Sequence, residues 1–145
     1  MSIYLNQASE AEIEAHARES YPDECCGFMF GHINHADERL VNQTQRVENI
    51  LQVDRRRRFE ISPREYMAAE DYAEEHALTL LGIYHSHPDH PPVASATDLK
   101  YAQPFFSYVI QSVREGYIAD LRSWRLSSES RFEEEVILQA PPSIP

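Results

Sequence analysis

Residues 82–98, GIYHSHPDHPPVASATD, combine the end of an apolar run with two histidines and a later carboxylate. The apolar run, residues 78–84, predicts a buried strand. Side chains at i and i+2 of a strand point to the same face, so His85 and His87 can contact one metal ion. Asp98, which follows the proline-rich turn, adds an oxygen ligand. Three such ligands with a fourth position open to water are typical of a catalytic zinc site rather than a structural one.

The charge of the chain limits its partners. The 145 residues carry a formal net charge of −11, whereas nucleic acids and anionic membranes require a cationic surface that displaces counterions. We therefore expect neither class of partner. The four consecutive arginines at 55–58 are a local exception. They predict either a solvated loop or a docking patch for an acidic partner protein or a carboxylate terminus.

The cysteines and the N-terminus bear on the compartment. Cys25 and Cys26 are adjacent, and neighbours in sequence rarely form a disulfide because the bond is strained at that spacing. Without a disulfide framework we expect the reducing cytoplasm. The first residues lack the basic and apolar regions of a signal peptide. No apolar run approaches the ~18 residues that span a bilayer, so we expect no membrane association.

Two clear helices are predicted. Ser9 is a candidate N-cap for the first, which runs over 9–20 and ends before Pro22. Ser62 caps the second, with Pro63 at its first position. Apolar spacings of three and four predict the buried faces: Ile13, Ala17 and Ala11 in the first helix, and Tyr66, Ala69, Tyr72, Ala73 and His76 in the second.

Strands are predicted between and after these helices. Residues 24–31 are mostly apolar on both faces, which is typical of a central strand. Further strands are expected at 3–5, 39–45, 58–61, 105–112, 117–125 and 132–138, with a short helix at 95–102. The predicted fold is a single domain, residues 1–139, with a central mixed sheet flanked by helices in the α/β or α+β class. An unstructured tail is expected at 140–145.

The metal and its ligands admit alternatives. Two imidazoles, one carboxylate and a water suit Zn²⁺, and with added waters the same set can hold Fe²⁺ or Mn²⁺. His90 lies three residues after His87 on a proline-bent loop, and we interpret it as a residue at the rim of the site. The other four histidines lack a paired partner and are interpreted as solvent-facing or packing side chains: His16, His32, His35 and His76.

Hydrolysis at such a site needs a group that takes a proton from water and passes it to the leaving amine. Glu24 stands out among 24 acidic residues because it directly precedes a buried strand. At the mouth of an apolar sheet, burial raises the pKa of a carboxyl group and a nearby metal lowers it. From the residues alone, a solvent-exposed charge at the end of the strand is an open alternative.

These motifs resemble those of a known family. His85-Ser86-His87-Pro88, six residues, Ser95, two residues and Asp98 match the signature H-[ST]-H-P-x6-S-x2-D of the JAMM (MPN-plus) metalloproteases with no departure in spacing. The upstream segment 21–27, YPDECCG, is similar to the glutamate element of that family. Residues 59–63, FEISP, precede a helix where the family places one. The resemblance covers residues 10–126 and implies the cytidine-deaminase-like JAMM/MPN fold.

The resemblance implies a role for each motif residue. His85, His87 and Asp98 would bind one catalytic zinc ion per chain, and Glu24 would act as general base and then as general acid. Ser95 would donate a hydrogen bond to the oxyanion of the tetrahedral intermediate. Ser-Ala-Thr-Asp before a helix is also a capping-box pattern, so helix capping is the competing interpretation of Ser95. We favour the catalytic one.

The resemblance also implies a substrate class. Family members cleave peptide or isopeptide bonds after the C-terminal Gly-Gly of ubiquitin or ubiquitin-like proteins. With its short length, the chain resembles the bacterial branch that processes ubiquitin-like sulfur carrier proteins of the ThiS/MoaD type. A flexible diglycine tail fits a narrow groove beside a sheet edge, with the loop after Pro88 as one wall. The carrier, the leaving group and the oligomeric state are left open by the residues.

Two other function classes compete with a zinc metallopeptidase. A catalytically silent scaffold of the same fold binds partners without metal, but such proteins usually lack one or more ligands, and this chain has all of them. A metal-dependent nuclease or DNA-repair protein on a related fold needs a basic face. The net charge of −11 disfavours that class.

Overall fold

Seven strands form the sheet of the protein, whose computed structural model describes residues 1–127 and 130–139. In chain order they are β1 Ser2–Leu5, β2 Cys26–Ile33, β3 Arg39–Val47, β4 Thr79–Pro88, β5 Ser107–Arg114, β6 Tyr117–Leu126 and β7 Phe132–Gln139. Across the sheet the order is β1-β3-β2-β4-β5-β6-β7, and parallel pairing of β1 with β7 closes it into a barrel. The β1–β3 and β4–β5 pairs are also parallel. The predicted mixed sheet is confirmed; its closure is an addition.

The helices cover the two faces of this sheet. Strand β2 shows why, because its alternate side chains enter two different apolar clusters. Met29 packs in the cluster that contains Ile13 of the first helix, whereas Phe28 packs in the cluster that contains Ala69 of the second. A sheet flanked by helices is therefore confirmed. The bounds of the helices are α1 Gln7–Ser20, α2 Pro63–Glu75 and α3 Ala96–Lys100.

The start of α1 differs from the prediction. Asn6, not Ser9, is the N-cap: its side-chain oxygen accepts a hydrogen bond from the backbone N–H of Ser9 at 2.8 Å. Both residue types favour this position, so the sequence pattern did not separate them. Ile13 and Ala17 are buried as predicted, but Ala11 is exposed.

Helix α2 begins as predicted. Ser62 accepts a hydrogen bond from the backbone N–H of Glu65 at 3.3 Å, and Pro63 opens the helix. Placing His76 on the buried face was wrong. His76 is exposed at the end of the helix, where its ring stacks on Tyr72 at a centroid distance of 4.1 Å and its Nδ1 lies 2.9 Å from the Tyr72 carbonyl oxygen.

The segment between β3 and α2 is a loop, so the predicted strand at 58–61 is wrong. Asn49 holds this loop together. Its side-chain nitrogen donates to the carbonyl oxygens of Glu24 and Arg58, and its side-chain oxygen accepts from the backbone N–H groups of Leu51 and Glu60. The loop is thereby fixed against Glu24, two residues before β2.

Cys25 and Cys26 are buried, free thiols, as expected for neighbours in sequence. Burial raises the pKa of Cys25 to about 11, so the thiol is protonated at neutral pH. Within residues 1–127 and 130–139, no helix is long and apolar enough to cross a membrane. The predicted tail at 140–145 lies outside the described residues.

Candidate metal centre

The end of β4 presents two imidazoles side by side. His85 and His87 are each only 1% exposed, and their Nε2 atoms lie 3.2 Å apart. Ser86, between them, points to the other face, where its hydroxyl oxygen accepts a hydrogen bond from the backbone N–H of Cys25 at 2.8 Å. The alternation of a strand therefore separates the two histidines from the residue between them.

Asp98 completes the group from the first turn of α3. Its Oδ1 lies 3.3 Å from Nε2 of His85, and its Oδ2 lies 3.2 Å from Nε2 of His87. The backbone N–H of Ser95 donates to Oδ2 at 2.8 Å and fixes the direction of the carboxylate. Burial acts to raise the pKa of Asp98, but the two imidazoles and the Ser95 N–H outweigh it and hold the pKa far below its usual range.

The spacing of these atoms fits a tetrahedral metal site. Zinc bonds to nitrogen and oxygen are about 2.0–2.1 Å long, so two ligands of one tetrahedral ion lie about 3.3 Å apart. The two Nε2 atoms lie 3.2 Å apart, and one ligand atom from each of the three residues lies within 4.8 Å of the other two. Nδ1 of His87 lies 2.8 Å from the carbonyl oxygen of Pro91, which only accepts, so Nδ1 carries the proton and the lone pair of Nε2 faces the site. The residues present therefore fit a Zn²⁺ ion.

Glu24 lies beside this group because of the pairing of β2 with β4. Cys26 is opposite His85 in the antiparallel register, which places Glu24, two residues earlier, next to His87. Glu24 is 3% exposed, and its Oε1 has no hydrogen-bond partner among the described residues. The open alternative of a solvent-exposed charge is therefore wrong.

The environment of Glu24 changes its acidity. Burial raises the pKa of its carboxyl group to about 8, with a lowering contribution from His87 and a raising one from Asp98. Its backbone is fixed, since its N–H donates to the carbonyl oxygen of Arg55 at 2.6 Å. A buried carboxyl group of raised pKa, held beside a cluster of metal-ligand atoms, is typical of a catalytic acid or base.

His90 lies closer to the centre than a rim residue would. Its ring stacks on His87 at a centroid distance of 4.1 Å. One of its ring nitrogens, a ring nitrogen of His87 and a carboxylate oxygen of Glu24 all lie within 4.8 Å of one another. His90 does not belong to the group formed by His85, His87 and Asp98. Its Nδ1 lies 2.8 Å from the carbonyl oxygen of Pro88, so the proline turn itself directs the ring. The sequence signal was this H-P-x-H spacing.

Ser95 is the N-cap of α3. Its hydroxyl oxygen accepts from the backbone N–H of Asp98 at 3.1 Å, and its own N–H donates to the Asp98 carboxylate, which completes a capping box. The capping interpretation is confirmed. A hydroxyl that accepts one hydrogen bond keeps its own proton to donate, so the oxyanion role stays a prediction compatible with the cap.

Two hydrogen bonds that the sequence did not reveal hold the turn after β4. Asp89, the first residue after β4, accepts one from the hydroxyl of Tyr21 at 2.6 Å and one from the backbone N–H of Glu115 at 2.8 Å. Tyr21 in turn lies three residues before Glu24. The partners are 68 residues apart in sequence, so no local pattern indicates the contact. The backbone of this turn has a positive φ of 60° at Asp89, a conformation that aspartate tolerates.

The four arginines at 55–58 belong mainly to a turn. Arg55 donates from Nε to the carbonyl oxygen of Leu51, while Arg56, Arg57 and Arg58 are exposed. These arginines therefore lie in a solvent-exposed loop, which is the first of the two interpretations, and the docking patch stays a prediction.

A cavity of about 240 Å³ opens beside His85 and Asp98. We call it the apolar pocket, because its walls are mainly aromatic and aliphatic. Its apolar side chains come from the loop before α2, from α2 itself, from strands β4 and β5 and from the residue after α3: Phe59, Ile61, Tyr66, Ile83, Tyr108 and Tyr101.

The fold and the site together define a class of protein: a mixed α+β domain with a three-residue metal-ligand cluster beside a buried glutamate. The chain belongs to the family described as prokaryotic homologs of the JAB domain, which matches residues 6–127. This agrees with the resemblance found in the sequence.

Proteins with known names and structures resemble the chain over most of its length. It is 35% identical over 118 residues to a desampylase of Haloferax volcanii, covering 77% of this chain and 82% of that protein. It is 32% identical over 126 residues to the CysO-cysteine peptidase of Mycobacterium tuberculosis, covering 84% and 81%. A solution structure of a Desulfitobacterium hafniense protein superimposes with a TM-score of 0.83 at 28% identity, covering 98% of this chain and 94% of that chain.

Proposed function

We propose that this protein is a zinc-dependent metallopeptidase that hydrolyses the peptide or isopeptide bond after the C-terminal Gly-Gly of a ubiquitin-like sulfur carrier protein. The observation that carries the proposal is the placement of Glu24, buried and with a free Oε1, beside His87 of the ligand group. The ligand group alone indicates a metal. The adjacent carboxyl group indicates hydrolysis.

The residues divide the chemistry between them. Zn²⁺ held by His85, His87 and Asp98 would polarise the scissile carbonyl and lower the pKa of a bound water. Glu24 accepts a proton from the attacking water as the C–O bond forms. It then passes that proton to the amine nitrogen as the C–N bond breaks. Beside a bound metal cation, the pKa of Glu24 would fall below about 8, so its carboxylate would be available at neutral pH.

Ser95 has a second role in this proposal. Its hydroxyl proton is not used by the helix cap, in which the oxygen accepts. Donated to the carbonyl oxygen of the substrate, it stabilises the charge that develops there in the transition state. The cap fixes the position of the donor before substrate binds.

The substrate class is supported by the relatives. The names desampylase and CysO-cysteine peptidase describe proteins that act on small ubiquitin-like proteins and on a cysteine attached to one. A diglycine tail suits the site because it has no side chains that would collide with the buried ligand residues. Backbone pairing with an exposed segment beside the site would provide affinity.

The test uses a ThiS/MoaD-type carrier extended by a cysteine after its Gly-Gly. The purified protein should contain about one zinc per chain, and the zinc-loaded protein should release cysteine. Glu24→Gln should keep its zinc and lose activity by about 10²- to 10⁴-fold, because the proton acceptor is removed. Glu75→Gln, at an exposed position at the end of α2, is the matched control and should behave as wild type.

A second candidate is a catalytically silent scaffold of the same family. It predicts that the protein binds the carrier without cleaving it, with or without zinc. Binding without cleavage by the zinc-loaded protein would favour the scaffold. Equal cleavage by wild type and Glu24→Gln would show that Glu24 is not the base.

A further inference from the structure

The apolar pocket adjoins the reaction centre directly. His85 and Asp98, two members of the ligand group, form part of its wall. A substrate group in the pocket would therefore lie within a few residues of the scissile bond. The pocket is enclosed by rings that are held in place: Phe59 packs against His85 at a centroid distance of 4.7 Å, and the hydroxyl of Tyr108 accepts from the backbone N–H of Gln103.

The position of Glu24 shows which side of the scissile bond the pocket serves. Glu24 is not among the residues that line it, and neither are the two histidines grouped with Glu24, His87 and His90. A general acid must reach the nitrogen of the leaving group. The leaving group therefore lies towards Glu24, and the pocket lies on the acyl side, where the carrier tail enters.

The size and chemistry of the pocket define its occupant. A cavity of about 150 Å³ lined by apolar side chains is enough to hold a benzene ring, whereas drug-sized ligands occupy about 300–1,000 Å³. At about 240 Å³, the pocket holds one large apolar side chain. Apart from Asp98 of the ligand group, its charged lining residues are Arg58 and Glu60, and both are exposed to solvent.

We propose that the apolar pocket is a specificity subsite for one leucine-like or aromatic side chain of the carrier tail, upstream of the diglycine. The inference rests on the proposed function, since glycine has no side chain and the occupant must come from a preceding residue. Burial of one such side chain corresponds to a preference of about 10- to 100-fold over a charged residue. The pocket therefore selects which tails are cleaved.

Binding measurements separate this inference from the peptidase activity. Peptides ending in Gly-Gly are synthesised with Leu, Phe, Ala or Asp at each of the three preceding positions. Their affinity for zinc-loaded Glu24→Gln is measured by calorimetry. At one position, Leu or Phe should bind at least about 10-fold more tightly than Asp. The preference is measurable whether or not the protein cleaves any carrier.

A matched pair of variants in one loop locates the subsite. Leu51→Asp introduces a charge into the wall of the pocket, whereas Val53→Asp changes a residue of the same loop that is 72% exposed and outside the pocket. Leu51→Asp should reduce the preference for Leu at least about 5-fold with its zinc content unchanged, and Val53→Asp should retain it. Tyr101→Asp, at a position 58% exposed, gives the same test without altering a half-buried residue.

Two results would overturn the inference. One is equal affinity for Leu and Asp at all three upstream positions. The other is an apolar preference confined to the residue after Gly-Gly, measured with carriers extended by Leu or Asp, because the pocket would then serve the leaving group. Cleavage without an upstream preference would refute the subsite alone. Upstream preference without cleavage would refute only the peptidase activity.

Discussion

The two halves of the candidate metal centre are built differently. His85, His87 and Glu24 are supplied by strand β4 and the residue pair before strand β2, and each is at most 3% exposed. Asp98 comes from α3, a five-residue helix with no buried residue. The register of β2 against β4 sets the distance between Glu24 and the two histidines. In α3 no residue is buried, so a capping box rather than core packing positions Asp98.

The difference shows how a short helix can carry a ligand. The Ser95 N–H holds Oδ2 of Asp98, and the Ser95 hydroxyl accepts from the backbone of the same residue. Local hydrogen bonds thus replace the core contacts that a longer helix would make. The sheet half is expected to tolerate metal removal, and the helix half to depend on it more. The predictions below compare changes in the two halves.

The largest effect is expected at the sheet half. His87→Ala leaves two ligands, so zinc should be lost from the purified protein and activity should fall by more than about 10³-fold. Metal analysis and the carrier assay measure both. His90→Ala is the matched control: it removes a ring that stacks on His87 but lies outside the ligand group, so the zinc content should be retained. Loss of zinc from His90→Ala would add His90 to the ligands.

A pH effect of intermediate size is expected from Glu24. The folded-state pKa is about 8, above the usual value of 4.5, because burial penalises the charged form. A raised pKa means that the folded state holds the proton more tightly, so stability is lost as the pH rises from about 5 through 8. The size is on the order of a few kcal/mol. Glu24→Gln, which cannot ionise, should not lose this stability.

Urea unfolding of chelator-treated wild type and Glu24→Gln at pH 5, 7 and 9 measures the difference. The free energy of unfolding of the variant should increase relative to that of wild type as the pH rises, and the two values should converge at pH 5. A constant difference across this range would mean that the carboxyl group is not buried in solution.

The smallest effect on the fold is expected at the helix half. Ser95→Ala removes the cap and should cost about 1 kcal/mol, whereas glycine at an N-cap costs only a few tenths. Ser95→Gly therefore separates the two roles of the residue. If the hydroxyl also donates to the oxyanion, Ser95→Gly should lose about 10²-fold in kcat while its unfolding midpoint stays near that of wild type. Ser95→Thr, which keeps a hydroxyl group, should retain both the kcat and the unfolding midpoint of wild type.

The local signals in the sequence were enough to place much of the structure. The alternation of a strand put His85 and His87 together, and the Ser62–Pro63 pair marked the start of α2. Both depend on neighbours within four residues. Glu24 was singled out because it precedes an apolar run, and the structure buries it beside His87.

The errors have equally physical causes. Closure of the barrel depends on pairing β1 with β7, more than 130 residues apart, for which no local pattern exists. Asn6 and Ser9 are both good N-caps, so composition alone did not choose between them. His76 fits the buried spacing of α2, yet its ring finds Tyr72 on its own helix and stays exposed. The barrel closure depends on a long-range contact, whereas the cap and His76 were choices between options that the sequence pattern does not separate.

The pairing of β2 with β4 has a consequence for the way the chain folds. If β2 slipped by one residue against β4, the alternation would carry Cys25 rather than Glu24 to the position beside His87. The same slip would turn Phe28 and Met29 to the opposite faces of the sheet, although each packs in a different apolar cluster. Burial of these two side chains therefore opposes the mispairing that would replace the carboxyl group with a thiol.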